Sequence, residues 1–292
     1  MGGTAVKLAI GEISYTNILP LYYFLKREEL EEKGCSFVPQ IPAQLNKSMK
    51  EGSVHVGGIS SFAYGQNPEL YDLLPDLSVS AKGNVGSIFL FSKKPITELS
   101  HSDIALTNSS ATSVHLLKVI LKEFYKHENI TYNLMEPNGA EMLRDHDACL
   151  LIGDDAIFKS WEKSSGLYVY DIGGLWYENT GLPMTFAVIA VRKDIARKEN
   201  QLLEELYKDL QRSKQLSIQT NFQTMIQEII HKHGGRKEFW DHYFSRLVYD
   251  FTEKEKEGLL YYYHLVYKHR FIEQPVKQLS MWKKGLESQT II

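Results

Sequence analysis

A chain of 292 residues, 43% hydrophobic and 24% charged, has the composition of a folded globular protein and the length for two lobes with separate cores. Its formal net charge of −3 supplies no basic field for nucleic acid or an anionic membrane surface, and no charge run is long enough to act as a tail. Any anionic ligand must therefore be held by local donors.

From the start of the chain, Met1–Ile10 carries one lysine and a very short apolar run, less than a secretory signal needs. No window reaches the ~20 apolar residues of a membrane span, so a cytoplasmic location is expected. Up to about residue 190, short apolar runs alternate with amphipathic stretches, the pattern of βαβ units around mostly parallel sheets. Strands are expected at Val6–Ile10, Ser36–Pro39, His55–Gly58, Ser87–Ser92, Ile104–Thr107, Tyr132–Met135, Ala148–Gly153, Leu167–Asp171 and Phe186–Val191. Ser110–His127 reads as a helix because Val114, Leu117, Leu121 and Phe124 share one face. Beyond Ile195 the pattern turns helical: Ile195–Leu216, Asn221–His231, Glu238–Val248 and Glu253–Lys268. The tail after Gln274 looks irregular or loosely attached.

This order predicts an α/β fold of two lobes joined by two hinge crossings. Lys93–Lys94–Pro95 suits the first crossing and Arg192–Lys193–Asp194 the return. Residues 1–91 with 192–292 would form one lobe and 92–191 the other, the helical C-terminal third packing on the first lobe and leaving a ligand cleft between lobes. Cys35 and Cys149, far apart and outside any metal or redox spacing, read as core residues.

Four strand-to-helix junctions are rich in hydroxyl, amide or carboxylate groups: Ser14–Asn17, Gly58–Ser61, Thr107–Thr112 and Gly153–Asp155. Ligands of parallel α/β sheets bind outside the carboxyl ends of strands, and helix starts offer free N–H groups to anions. The same residue types are ordinary helix caps, and Asp154 or Asp155 suits that role in particular. The case for a site rests on three neutral junctions meeting at one cleft. Hydrolase, zinc, P-loop and dinucleotide motifs are all missing. The His231–His233 tract reads as a solvated helix end, and Tyr261–Tyr263 as helix packing.

The blocks Gly11–Tyr22, Gly57–Tyr64, Leu74–Ser80, Gly86–Ser92, Ala105–Ser113, Leu151–Ala156 and Thr180–Ala187 together resemble the chorismate dehydratases of the futalosine route to menaquinone. The resemblance implies a periplasmic-binding-protein-like (type II) fold and conversion of chorismate to 3-[(1-carboxyvinyl)oxy]benzoate and water. It further implies that Asn17 is the essential residue and that Ser60, Ser61, Ser87, Ser110 and Thr112 line the site and hold carboxylates; Asp154, at the fourth junction, is a further candidate for substrate binding. Many relatives carry a basic residue and a proline near Glu12–Ser14, where this chain departs from the pattern.

An amide is no base at neutral pH, so Asn17 would position substrate or hydrogen-bond the leaving hydroxyl. The proton acceptor is left open among the enolpyruvyl carboxylate, a water and Glu12. No metal or organic cofactor is required. The expected partner is the small molecule chorismate, with no nucleic acid and no membrane, and a homodimer is left open. Two rival readings are the 1,4-dihydroxy-6-naphthoate synthase of the same route, whose opening motif resembles Ser-Pro-Cys-Pro-Asn-Asp, and a non-catalytic solute-binding protein for a small carboxylate.

Overall fold

The structure, a computed structural model, describes residues 7–162 and 166–284. Eleven strands run β1 (Leu8–Ile13), β2 (Cys35–Gln40), β3 (Val56–Ser60), β4 (Tyr71–Ala81), β5 (Ile88–Ser92), β6 (Asp103–Thr107), β7 (Thr131–Met135), β8 (Ala148–Ile152), β9 (Tyr168–Asp171), β10 (Met184–Arg192) and β11 (Leu247–Val248) among the described residues. They form a six-stranded sheet, β11-β4-β10-β3-β1-β2, and a five-stranded sheet, β7-β6-β8-β5-β9. Val6, expected in the first strand, and 285–292 of the expected tail lie outside the described residues.

The sheets are mixed rather than mostly parallel. β1 pairs in parallel with β2 and β3, and β6 with β7 and β8, whereas β10 runs antiparallel to β3 and β4, and β5 antiparallel to β8 and β9. The two strands that the crossings deliver thus enter from the cleft end. This pairing moves the expected boundaries at 91/92 and 191/192: β5 belongs to the second sheet and β10 to the first. The links lie earlier in the chain, at 82–87 and 181–183. Local sequence marked the far ends of these strands because charge collects there, whereas the crossings are made at their beginnings.

The first link is held by Asp171, whose carboxylate accepts from Val85 N–H (3.0 Å), Gly86 N–H (2.7 Å) and Gly174 N–H (3.0 Å). Gly83 and Gly86 there have φ of +102° and +78°, which a side chain would strain. Of β10, Met184–Val191 are all buried, as expected of a strand covered on both faces by helices.

The helical third packs on both sheets, not on the first lobe alone. Helix Asn200–Gln219 lies against the first, where Ser213 and Ser217 hydroxyls both donate to Pro20 O at 3.0 Å. Helix Glu253–Lys268, opened by a capping box at Thr252 and Glu255, reaches across: Tyr263 donates to Ser61 O (2.7 Å) and Tyr262 to Thr112 O (3.4 Å). Trp161, at the end of helix Gly153–Trp161, meets Phe239 and Trp240 edge-on at 5.1 and 6.2 Å. Aromatic burial fastened these helices to whichever sheet was near, and helical periodicity carries no information about which sheet that is.

As far as residue 284 the tail is irregular but firmly attached. Leu73 N–H donates to Ser280 O (2.8 Å), Trp282 N–H donates to Leu73 O (2.9 Å), and the Trp282 side chain is buried against Tyr207. No helix among the described residues is long and apolar enough to cross a membrane.

Candidate active site

Where the two sheets face each other, a cleft is lined from both sides by the expected junctions. The run after β1 contributes Tyr15, Asn17 and Ile18, the end of β3 contributes Ser60, the turn after β6 contributes Ser110 and Ser113, and the end of β8 contributes Ile152 and Gly153. Ile13, Pro42, Ile88, Phe186 and Ala187 complete apolar walls. Among the described residues no lysine, arginine or histidine lines it, so ligand charge would be met by neutral dipoles in a desolvated space, where they are worth most.

Asn17 sits in the short 3₁₀ turn Thr16–Ile18. Its backbone carbonyl accepts from the buried Tyr249 hydroxyl at 2.9 Å, which fixes the turn. Its side-chain Oδ1 is buried and has no hydrogen-bond partner among the described residues. A buried unpaired amide oxygen costs about 1–3 kcal/mol, and the residue that carries it lines the cleft.

Ser60 caps helix Ser61–Gln66 by accepting from Ala63 N–H at 3.1 Å. Asn46, on helix Pro42–Glu51, grips it twice: Ser60 N–H donates to Asn46 Oδ1 (3.0 Å) and Asn46 Nδ2 donates to Ser60 Oγ (3.1 Å). Ser110 caps helix Ala111–Val119 by accepting from Ser113 N–H (3.2 Å), and its own hydroxyl donates to Ser113 Oγ at 3.0 Å. The helix closes with a π turn at Ile120–Phe124, three residues before the expected end at His127.

The other expected residues are not among those lining the cleft. Ser61 is fully buried and donates to Thr185 O at 2.7 Å. Thr112 Oγ1 accepts from Phe62 N–H at 3.0 Å, so a residue beside the second sheet satisfies a helix start beside the first. Ser87 is buried, and its carbonyl accepts from Gly153 N–H at 2.7 Å. Asp154 accepts from the Thr16 hydroxyl at 2.7 Å, beside the Asn17 turn. Burial pushes the Asp154 carboxyl above its usual range, against the Thr16 hydrogen bond and the nearby charge of His233 and Lys232. These four hold the frame around the cleft.

Glu12 faces elsewhere, in a bidentate pair with Arg27 at 2.6 and 3.0 Å, and lines a neighbouring pocket with Tyr22, Lys232 and His233. That pocket is the larger of the two and holds a buried hydroxyl, on Tyr22, with no hydrogen-bond partner among the described residues. It is built from the first sheet's side and helix Gln223–His233 alone, however, whereas the cleft with the unpaired Asn17 oxygen draws on both sheets. Residues that sequence reasoning passed over are Tyr15, Ser113, Asn46 and Tyr249. Tyr15 packs its ring on Gly153, whose φ is +61° and whose Cβ, if present, would stand 3.0 Å from the ring. Ser113 had a local signal, one helical turn beyond Ser110. Asn46 and Tyr249 had none, because each acts through a long-range contact.

Among curated proteins, the chain is 36% identical over 200 residues to a chorismate dehydratase of Thermus thermophilus, covering 63% of this chain and 70% of that one. It is 26% identical over 161 residues to a 1,4-dihydroxy-6-naphtoate synthase of the same organism, covering 55% and 57%. Among solved structures it superimposes on protein AF1704 from Archaeoglobus fulgidus with a TM-score of 0.72 at 17% identity, covering 91% of this chain and 98% of that one. The alkanesulfonate-binding protein SsuA of Xanthomonas axonopodis gives 0.68 at 13% identity, covering 94% and 97%, so the fold is that of the periplasmic binding proteins. A family model described as menaquinone biosynthesis matches residues 8–268, and the chain belongs to that family.

Proposed function

We propose that this protein is a chorismate dehydratase, a hydro-lyase that converts chorismate to 3-[(1-carboxyvinyl)oxy]benzoate and water. The observation that carries the reading is the unpaired Asn17 Oδ1 in a neutral cleft edged by Ser60, Ser110 and Ser113. A buried acceptor calls for a ligand donor, and chorismate has one hydroxyl, at C4. Its two carboxylates call for donors, which the serines supply. The similarity to the curated chorismate dehydratase of Thermus thermophilus, higher than to the naphthoate synthase, supports the same choice.

In this reading Asn17 is the catalytic residue, its amide holding the C4 hydroxyl. Ser60 and Ser113 hold carboxylate oxygens, and Ser110, whose proton goes to Ser113, orients that second donor. Ser61, Ser87, Thr112 and Asp154 act through the frame rather than by touching substrate. Loss of the C3 proton places charge that is conjugated to the ring carboxylate, and fixed donors there lower that barrier without reorganising. The enolpyruvyl carboxylate takes the C3 proton, the C4–O bond breaks, and the departing hydroxide recovers the proton as water, leaving the aromatic ring. Glu12 is turned to Arg27 and lines the neighbouring pocket, away from that proton. The two sheets act as lobes that close over the substrate and exclude water.

The test is turnover of chorismate by purified protein, followed as formation of the aromatic product. Asn17→Ala is expected to lower kcat by about 100-fold or more while the protein still binds the product. Wild-type turnover by that variant, or tight binding of unchanged chorismate by the parent, would overturn the assignment.

A further inference from the structure

Ser60 Oγ receives two donors whose identity is fixed. Ala63 N–H, at 3.1 Å, can only donate. Ser60 N–H can only donate as well, so Asn46 must turn Oδ1 toward it, at 3.0 Å. That leaves the Asn46 Nδ2 group, also an obligate donor, against Ser60 Oγ at 3.1 Å. A serine oxygen has two lone pairs, and both are now used. Its proton has no acceptor among the described residues, while the side chain borders the cleft.

We infer that Asn46 is a specificity-determining positioning residue: by filling the second lone pair of Ser60 it makes that hydroxyl a donor only, selecting an anionic oxygen and rejecting a ligand donor at that point. A free serine hydroxyl could accept or donate and would discriminate little. Here the wrong polarity costs an unmade hydrogen bond in a buried place, the effect by which polar sites discriminate most strongly. The inference rests on the dehydratase reading only for the name of the carboxylate. The hydrogen-bond polarity stands apart from it.

Asn46→Asp tests it. The exchange keeps the shape and the acceptor for Ser60 N–H but puts an oxygen where Nδ2 was, which captures the Ser60 proton. Expected is a rise in the KM for chorismate of about 10- to 100-fold with kcat changed less than about threefold, the pattern of lost uniform binding. Asn46→Ala removes more packing yet leaves the Ser60 proton free, so its melting temperature should be the lower and its KM the nearer to wild type. If Asn46 were merely structural, both rankings would run together, with the alanine variant worse in each. In a Ser60→Ala background the KM penalty of the aspartate should shrink by at least about threefold. A full penalty there, or a single-variant KM within threefold of the parent, overturns the inference. Should the parent fail to turn over chorismate, the dehydratase reading falls, and benzoate titration decides the polarity: about tenfold weaker binding by Asn46→Asp supports it, and equal affinity overturns it.

Discussion

The junction after β3 and the junction after β6 use the same parts and spend them differently. Each opens with a serine that accepts from the N–H three residues on, Ser60 from Ala63 and Ser110 from Ser113. At the first, Asn46 occupies the remaining lone pair and leaves the Ser60 proton to the cleft. At the second, the Ser110 proton goes to Ser113, so the spare donor moves one helical turn along. Their neighbours diverge as well: Ser61 and Thr112 bind backbone groups across the molecule. A hydroxyl at a helix start reveals its role only when its lone pairs and proton have been assigned.

The largest effect should come from the residue between these junctions. Asn17→Asp keeps shape but changes one donor for a charged acceptor, and is expected to lower kcat/KM by about 100-fold or more, measured by steady-state turnover. Next, the serine pair should separate binding from stability. Ser60→Ala is expected to raise KM about tenfold and also to lose a cap worth ~1 kcal/mol, whereas Ser61→Ala should leave KM alone and lower stability by ~1 kcal/mol in urea unfolding. A KM shift at Ser61 equal to that at Ser60 would erase the distinction.

Thr112→Val should act on the join between the two sheets. It strands the buried Phe62 N–H, so a loss of about 1–3 kcal/mol is expected, with KM raised only as far as closure is disfavoured. Calorimetry together with small-angle scattering in the presence of chorismate would measure both.

The smallest effect concerns Asp154. Burial raises its carboxyl pKa in the folded state. Its stabilising contribution is therefore full below the unfolded pKa and lost as pH rises through the raised folded value. A neutral amide would not carry that cost, so Asp154→Asn, which keeps an acceptor for Thr16, should melt slightly higher than the parent at pH 7. The advantage should fade as the pH falls into the ordinary carboxylate range. A melting difference independent of pH would sink this account.

Short apolar runs made most strands legible, but β4 was missed as a strand. Pro75 and the charged Asp72 and Asp76 interrupt its pattern, and the register with β10 shifts there, with Asp76 at φ +54°. The Ile195–Leu216 helix is two, Lys193–Lys198 and Asn200–Gln219, broken at Glu199, where no proline or glycine warned of it. At the site, the junctions were legible as positions but not as roles. Asn17, Ser60 and Ser110 reach the cleft, while Ser61, Ser87, Thr112 and Asp154 turn to the frame.

The amino-acid order alone determined where strands end in polar residues and where amphipathic helices begin, because steric preference and hydrophobic periodicity act over a few residues. Tertiary structure decided which sheet each strand joined, how the C-terminal helices spanned both, and which hydroxyl kept a free proton. Those outcomes depend on partners as distant as Asn46 from Ser60 or Tyr249 from Asn17, brought together only by burial.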